Sequence, residues 1–269
     1  MASANKNIKV FLNNNSIFTL DELRKYFAFP EGSRKALDLI HEQKKYNRIG
    51  VIKSGLYFVV QPGNNPESVQ VDPYLLSLKN VNNSIVAFHS AMELLGYSHS
   101  IFNITYSLSN RYRSSLKFRD QTIQYIMVSE ILLKKSKEFF GTEKVERLGI
   151  KVTVTGKERT LVESLERPQY CGGFEEMYRS LEKMPYIDFD ILLQYLDLRE
   201  QKNLFSRVGY FLEQHRKDFN VEEKVLLQLE KNVPSQPLYW DRSRKSGIIK
   251  KRWNLIVPSD VDKMNWEEI

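Results

Sequence analysis

The chain has 269 residues, of which 42% are hydrophobic and 27% charged, and a net charge of +7. That balance excludes a disordered or fibrous chain and fits a globular protein of roughly two domains of about 100–200 residues each. Cys171 is the only cysteine, which excludes an intrachain disulfide and a multi-thiolate metal site built from one chain.

The charge is spread unevenly. Residues 1–72 hold ten Lys/Arg against seven Asp/Glu, residues 73–184 sixteen against twelve, and residues 185–269 fourteen against fourteen. The positive excess therefore lies in the first two thirds, which allows a polyanionic partner without requiring one. No apolar run approaches the roughly 20 residues of a membrane helix, and the polar start MASANKNIKV lacks the apolar stretch of a signal peptide. The expected location is the cytoplasm, with no membrane partner.

In chain order, IKVFL predicts a short first helix. TLDELRKYF predicts a second, with Thr19 as its cap, Glu22 completing a capping box, and Leu20, Leu23 and Phe27 on one face. AFPEG supplies a turn, and a third helix follows with Ser33 as cap. RIGVIKSGLYFVV alternates and turns at Ser54-Gly55, as a two-stranded hairpin does. The order helix, helix, turn, helix, hairpin is that of a winged helix-turn-helix.

On a wheel of about 100° per residue, the third helix gathers Ala36, Leu37, Leu39, Ile40 and Gln43 on one side. Arg34, Lys35, Asp38, His41, Glu42 and Lys45 lie opposite. A helix-turn-helix inserts its second helix into the major groove and uses the N-terminal residues on base edges. Arg34 can fork onto guanine, Lys35 can neutralise a phosphate, and Asp38 can accept from cytosine or orient Arg34. Lys44, Lys45 and Arg48 would meet the DNA backbone, and Lys53 at the hairpin tip an adjacent groove or phosphate. The competing reading is the solvated polar face of any amphipathic helix; the turn before the helix and the basic-tipped hairpin after it favour DNA. The candidate DNA-binding set is Ser33, Arg34, Lys35, Asp38, Lys44, Lys45, Arg48 and Lys53.

VVQPGNNPESVQVDP concentrates Pro62, Gly63, Asn64, Asn65, Pro66 and Pro73, which mark an exposed connection. The expected domains are residues 1–72 and 74–269, each with its own core. In the second, SIVAFHSAMELLGY predicts a helix ended by Gly96, with His89 as a packing residue, and NITYSLS and TIQYIMVS predict strands. Between those strands, Arg111, Arg113, Lys117 and Arg119 interleave with Tyr112 and Phe118. This segment is either a phosphate-gripping, base-stacking one or a solvated hairpin.

IKVTVTGKERTLVESLERP predicts a strand running into a helix, with a Thr155–Glu158 capping box and Pro168 beyond its end. GGFEEMYRSLEKM, DFDILLQYLDLRE, LFSRVGYFLEQHRKDF and VEEKVLLQLEKNV predict four more helices. LYWDRSRKSGIIKKRWNLIVPSD has strand character around Arg242, Arg244, Lys245, Lys250, Lys251 and Arg252, the densest basic run in the chain. It is either phosphate-facing or solvated.

The sequence contains no Gly-rich phosphate loop, HExxH, GxSxG or Cys/His ligand cluster. Its E-x-K triplets at Glu42, Glu200 and Glu222 fall in helical or linking segments and read as surface charge. No catalytic residue, metal or cofactor is assigned. The expected fold class is α+β, an N-terminal winged helix-turn-helix followed by a larger, mixed α/β, helix-rich domain.

With both halves laid out, the sequence resembles the AbiEi-type antitoxins and transcriptional regulators of type IV toxin-antitoxin systems over most of the chain. The N-terminal likeness lies in TLDELRKYF and SRKALDLIHEQKKYNRIGVIKSGLYFVV. The C-terminal likeness lies in AFHSAMELLGYSHSIFNITYSLSNRYRS, VTVTGKERTLVESLERPQYCGGFEEMYRSLE and the Leu-rich helices that follow, and the order of the blocks carries it. The resemblance implies a bacterial repressor that binds inverted repeats in its own promoter; the chain is expected to be a monomer in solution with two copies on the operator. The resemblance also implies a second domain, without catalytic activity, that counteracts a neighbouring nucleotidyltransferase toxin in phage defence. Arg111, Arg113, Lys117, Arg119, Lys250, Lys251 and Arg252 are then candidates for further phosphate contacts or for the acidic surface of a toxin. The rival readings are a nuclease or toxin-modifying enzyme steered by a winged helix, and an interaction protein whose winged helix binds another protein.

Overall fold

The computed structural model describes residues 7–240 and 247–263. Arg242, Arg244 and Lys245 of the basic run lie outside the described residues. The N-terminal part comprises α1 (Ile8–Asn13), β1 (Ile17–Thr19), α2 (Leu20–Phe27), α3 (Lys35–Lys45), β2 (Ile49–Lys53) and β3 (Leu56–Val59). The expected capping box starts α2: Glu22 donates its backbone N–H to Thr19 Oγ1 at 3.2 Å, and its carboxylate accepts the Thr19 N–H at 2.8 Å. Ser33 Oγ accepts the Lys35 N–H at 3.3 Å, while the first helical carbonyl of α3 is that of Arg34, so this cap stands one residue ahead of the regular helix. The three strands form an antiparallel sheet in the order β1-β3-β2, and Gly55 at φ 78° closes the hairpin.

Alternation gives this sheet two buried faces. Phe18, Ile49, Tyr57 and Val59 pack on Phe11, Leu23, Ala36 and Ile40. The opposite face, Ile17, Leu56, Phe58 and Val60, packs on Val71, Tyr74, Leu75 and Leu76 at and after the expected boundary, and on Ile123, Val152 and Val154 beyond it.

The connection itself is tied down. Asp72 caps α4 (Pro73–Asn80) through the Tyr74 and Leu75 N–H groups and takes the Arg147 guanidinium at 2.6 Å. Arg119 donates to the carbonyls of Pro66 and Val69 and lies over the Phe58 and Phe118 rings. Lys79 of α4 pairs with Glu22 of α2. One hydrophobic cluster thus runs across residues 62–73, joining a core on each side. We expect the whole chain to unfold in one transition. Phe58→Ala, at a position 3% exposed, should cost about 3–5 kcal/mol in a denaturant titration.

The second part continues with β4 (Ile85–Val86), α5 (His89–Leu94), β5 (Ile104–Ser109), β6 (Leu116–Phe118), β7 (Gln121–Met127), α6 (Glu130–Lys134), β8 (Thr142–Arg147) and β9 (Ile150–Thr155). They build one six-stranded mixed sheet, β6-β7-β5-β4-β9-β8, in which β5/β7 and β4/β9 are parallel. One face meets α4 and the N-terminal sheet. The other carries Ile85, Tyr106, Leu108 and Ile126 against α7 (Lys157–Glu166), α8 (Phe174–Leu181), α9 (Phe189–Arg199), α10 (Lys202–Gln214) and α11 (Glu223–Glu230). A small sheet of β10 (Leu238–Tyr239), β11 (Gly247–Lys250) and β12 (Leu255–Pro258), followed by α12 (Ser259–Asp262), closes this side. There Trp253 lies so close over Gly209 of α10 that a Cβ would stand 2.1 Å from its ring. The chain is an α+β protein.

Two expectations change. The segment expected as one helix from Ser84 begins as a strand, because Ile85 and Val86 pair with Leu108 and Ser107 and Val86 with Val154; the chain then turns at Phe88, φ 56°, into α5. The Thr155–Glu158 capping box does not form. Thr155 Oγ1 bonds Thr160 Oγ1 at 2.7 Å, Gly156 holds the cap position, and Glu158 accepts the Asp188 N–H at 2.9 Å.

Candidate functional site

Ala36, Ile40 and Gln43 anchor α3 by burial, which leaves Arg34, Lys35, Asp38, His41, Glu42, Lys44 and Lys45 exposed. Gln43 Oε1 accepts from Arg48 Nη1 at 3.3 Å, and the Arg48 guanidinium sits 5.4 Å from the Tyr46 ring centre, so Arg48 is held beside the C-terminal end of α3. Lys53 is exposed near the hairpin tip, whose Gly55 carbonyl accepts the Leu20 N–H at 2.9 Å; the hairpin end is thereby fixed against the start of α2. Among the described residues, Arg34, Lys35, Lys44, Lys45 and Lys53 have no carboxylate within ion-pair distance. Asp38 does not pair with Arg34. Five unneutralised cations on one helix and its hairpin can displace counterions from a polyanion.

The second basic cluster divides. Arg111, Arg113 and Lys117 are exposed and have no ion-pair partner among the described residues, whereas Arg119 is committed to the connection at Pro66 and Val69. The terminal cluster is largely ion-paired within the fold. Lys250 pairs with Asp262, and Arg252 donates to Glu213 at 2.7 Å, Glu223 at 2.8 Å and Glu230 at 3.0 Å. Arg252 and Lys250 are thus engaged in ion pairs within the fold, and Glu223 is shared with Arg216 at 2.8 Å. Lys251 is exposed.

A buried charge network, not foreseen from the sequence, lies behind α7. Arg159 of α7, 0% exposed, donates to Glu163 Oε1 at 3.0 Å and to the carbonyls of Glu138 and Phe140 at 2.7 and 2.9 Å. Tyr195 of α9 donates to the same Glu163 oxygen at 2.7 Å; burial, then the charge of Glu163, raises the Tyr195 pKa and keeps it a donor. Arg199 gives both Glu166 oxygens 2.8 Å hydrogen bonds. Burial opposes its charge, but Tyr195 and Glu166 outweigh that and raise its pKa. The available signal was the i, i+4 spacing of Arg159 and Glu163, which on an exposed helix would mean only a solvated pair.

This network ends at two adjoining clefts of about 770 and 710 Å³. Tyr112, Tyr125, Met127, Lys134 and Arg199 line the first, and Glu166, Gln169, Phe174, Asn203 and Trp240 the second; Arg167 and Gln201 belong to both. No group of three or more His, Cys, Asp or Glu among the described residues is placed to hold a metal ion. Glu42, Glu200 and Glu222 stand apart, on α3, just after α9 and before α11.

His89 packs face to face on Phe102 with ring centres 3.8 Å apart, and its Nε2 lies 3.2 Å from Glu176 Oε1. Burial lowers its pKa below the ordinary 6.5 although Glu176 pulls it up. Glu176 is itself lowered, because hydrogen bonds from Ser100, Ser180 and His89 outweigh its desolvation. The unfolded His89 takes a proton near pH 6.5 and the folded one only at lower pH, so between those values the unfolded state binds more protons. We therefore expect stability to fall on acidification below pH 6.5, in melts across pH, and His89→Gln to flatten that part of the curve. Nearby Cys171 is fully buried, with its thiol pushed up to about 12 by burial.

No family model matches the chain, and no curated protein matches it. Among solved structures, the RV2827C protein from Mycobacterium tuberculosis has a similar fold, with a TM-score of 0.63 and 15% identity over 94% of this chain and 90% of that one. At that identity the likeness concerns the fold alone, and it spans both the N-terminal and the larger part.

Proposed function

We propose that the chain is a DNA-binding autorepressor and antitoxin of a bacterial type IV toxin-antitoxin system, acting in the cytoplasm. Its N-terminal part would be a winged helix-turn-helix that reads inverted repeats in its own promoter, one copy of the chain on each half-site. The observation that carries this reading is the exposed, unneutralised N-terminal end of α3, with Arg34 and Lys35, flanked by a hairpin that presents Lys53. The order α1-β1-α2-α3-β2-β3 supports the same reading. The antitoxin half rests on the resemblance of the larger part's sequence blocks, and its target would be a nucleotidyltransferase.

Arg111, Arg113 and Lys117 add outward charge on the larger part and would contact phosphates outside the half-site, positioning the protein without specifying sequence. Each phosphate neutralised contributes about 0.9 to the slope of log K against log salt. Replacing these three residues by alanine should flatten the slope by up to about 2.7 and leave sequence preference unchanged. An unchanged slope would remove DNA from their role and leave a toxin surface or plain solvation.

A second reading, an enzyme steered by a winged helix, is favoured by one observation: Arg199, an ionisable group with a raised pKa, lines an open cleft. Incubation of the purified chain with labelled DNA, and separately with the toxin, distinguishes it. Strand cleavage or a mass change in the toxin would favour the enzyme.

A further inference from the structure

We propose that the two adjoining clefts at the C-terminal end of α7 form a binding site for a nucleoside phosphate. One carboxylate there serves two guanidinium groups. Arg199, whose side chain is 1% exposed, occupies both oxygens of Glu166 at 2.8 Å, while Arg167, 25% exposed, stands 3.7 Å away. The lone pairs of Glu166 are thus largely taken, and Arg167 keeps most of its donor fork for a group entering either cleft. A planar guanidinium with free donors matches phosphate geometry.

The rest of the wall fits the other parts of such a ligand. Among the described residues Lys134 pairs with Glu130 alone, in an exposed i, i+4 pair that contributes little and that a phosphate can displace. Tyr112, 81% exposed and flanked by Arg111 and Arg113, which have no ion-pair partner among the described residues, lines the first cleft and offers a face on which a base can stack. Gln124 and Gln201 supply both donors and acceptors, which a base edge requires.

Arg199 Nε is buried without a hydrogen-bond partner among the described residues, so the floor of the first cleft is polar as well. A divalent cation is disfavoured because each carboxylate of the clefts already faces a cation: Glu166 pairs with Arg199, Glu130 with Lys134 and Glu200 with Lys135. The volume of about 770 Å³ lies within the range of roughly 300–1,000 Å³ found for small-molecule sites.

The same chemistry comes from a free mononucleotide or from the terminal nucleotide of a single strand. The test is calorimetric titration of the full chain, without duplex DNA, with AMP, GMP, CMP and UMP and with 5′-phosphorylated single-stranded tetranucleotides. Its outcome is therefore independent of operator binding. Saturable binding is expected. Tyr112→Ala, at an exposed position that leaves the fold alone, should weaken it roughly 5- to 150-fold. Arg167→Ala should weaken it about tenfold or more, with Arg167→Lys intermediate. A preference for the tetranucleotide would identify a strand end, and equal affinities a free nucleotide. Absence of binding of every probe at millimolar concentration, or binding unchanged in both Tyr112→Ala and Arg167→Ala, would overturn the assignment.

Discussion

Replacing Arg34 and Lys35 by alanine is expected to abolish specific binding to the operator and to leave the melting temperature of the protein essentially unchanged. Both side chains are exposed at the start of α3 and neither has a carboxylate partner among the described residues, so their removal breaks nothing in the fold. Substitutions at such positions usually stay within about 0.5 kcal/mol. Lys35 also stands in the first turn, at the positive end of the helix dipole, where its loss relieves a small repulsion. On DNA the balance reverses. A bidentate Arg–guanine contact is worth about 1–3 kcal/mol, and losing a second contact beside it multiplies the effect. A folded double variant that retains full operator affinity in a mobility-shift assay would remove α3 from DNA recognition.

Glu163→Ala is expected to be the most destabilising single change in the larger part, at about 3–5 kcal/mol, because it leaves a buried charge without its counter-ion. Arg159, 0% exposed, would retain only carbonyl acceptors, and the Tyr195 hydroxyl would lose its acceptor inside the same core. Burial, the largest cause of the raised Tyr195 pKa, persists in the variant and opposes ionisation of the hydroxyl. Chemical denaturation of the variant measures the loss. A cost below about 1 kcal/mol would mean that water reaches the network and that α7 and α9 are packed more loosely than described.

Local signals were legible where they are written in consecutive residues. The Thr19–Glu22 capping box, the turn at Ser54-Gly55 and the buried positions Ala36, Ile40 and Gln43 of α3 depend on spacing alone, whereas Leu37, expected on the same face, is 38% exposed. What was not legible depends on partners distant in sequence. β4 has two residues, too few for a period, and is a strand because Ser107 and Val154 lie on either side of Val86. Arg252 looked like part of a basic run because the sequence shows charge density but not that Glu213, Glu223 and Glu230 converge on it from other elements. Arg119 likewise meets the carbonyls of Pro66 and Val69 about fifty residues upstream. The clefts escaped notice for the same reason: β7, α6 and the ends of α7 and α9 each supply a wall.

Recognition of its own promoter through α3 is the proposal on which the rest depends. The most direct measurement is the affinity of the full chain for the DNA upstream of its gene, compared with the same DNA carrying one scrambled half-site, over a series of salt concentrations. A specific complex is expected on the native sequence, weakening steeply with salt by about 0.9 in slope for each phosphate contacted, with a marked loss on the scrambled half-site. Equal affinity for both DNAs, or no binding to either at low salt, would contradict it.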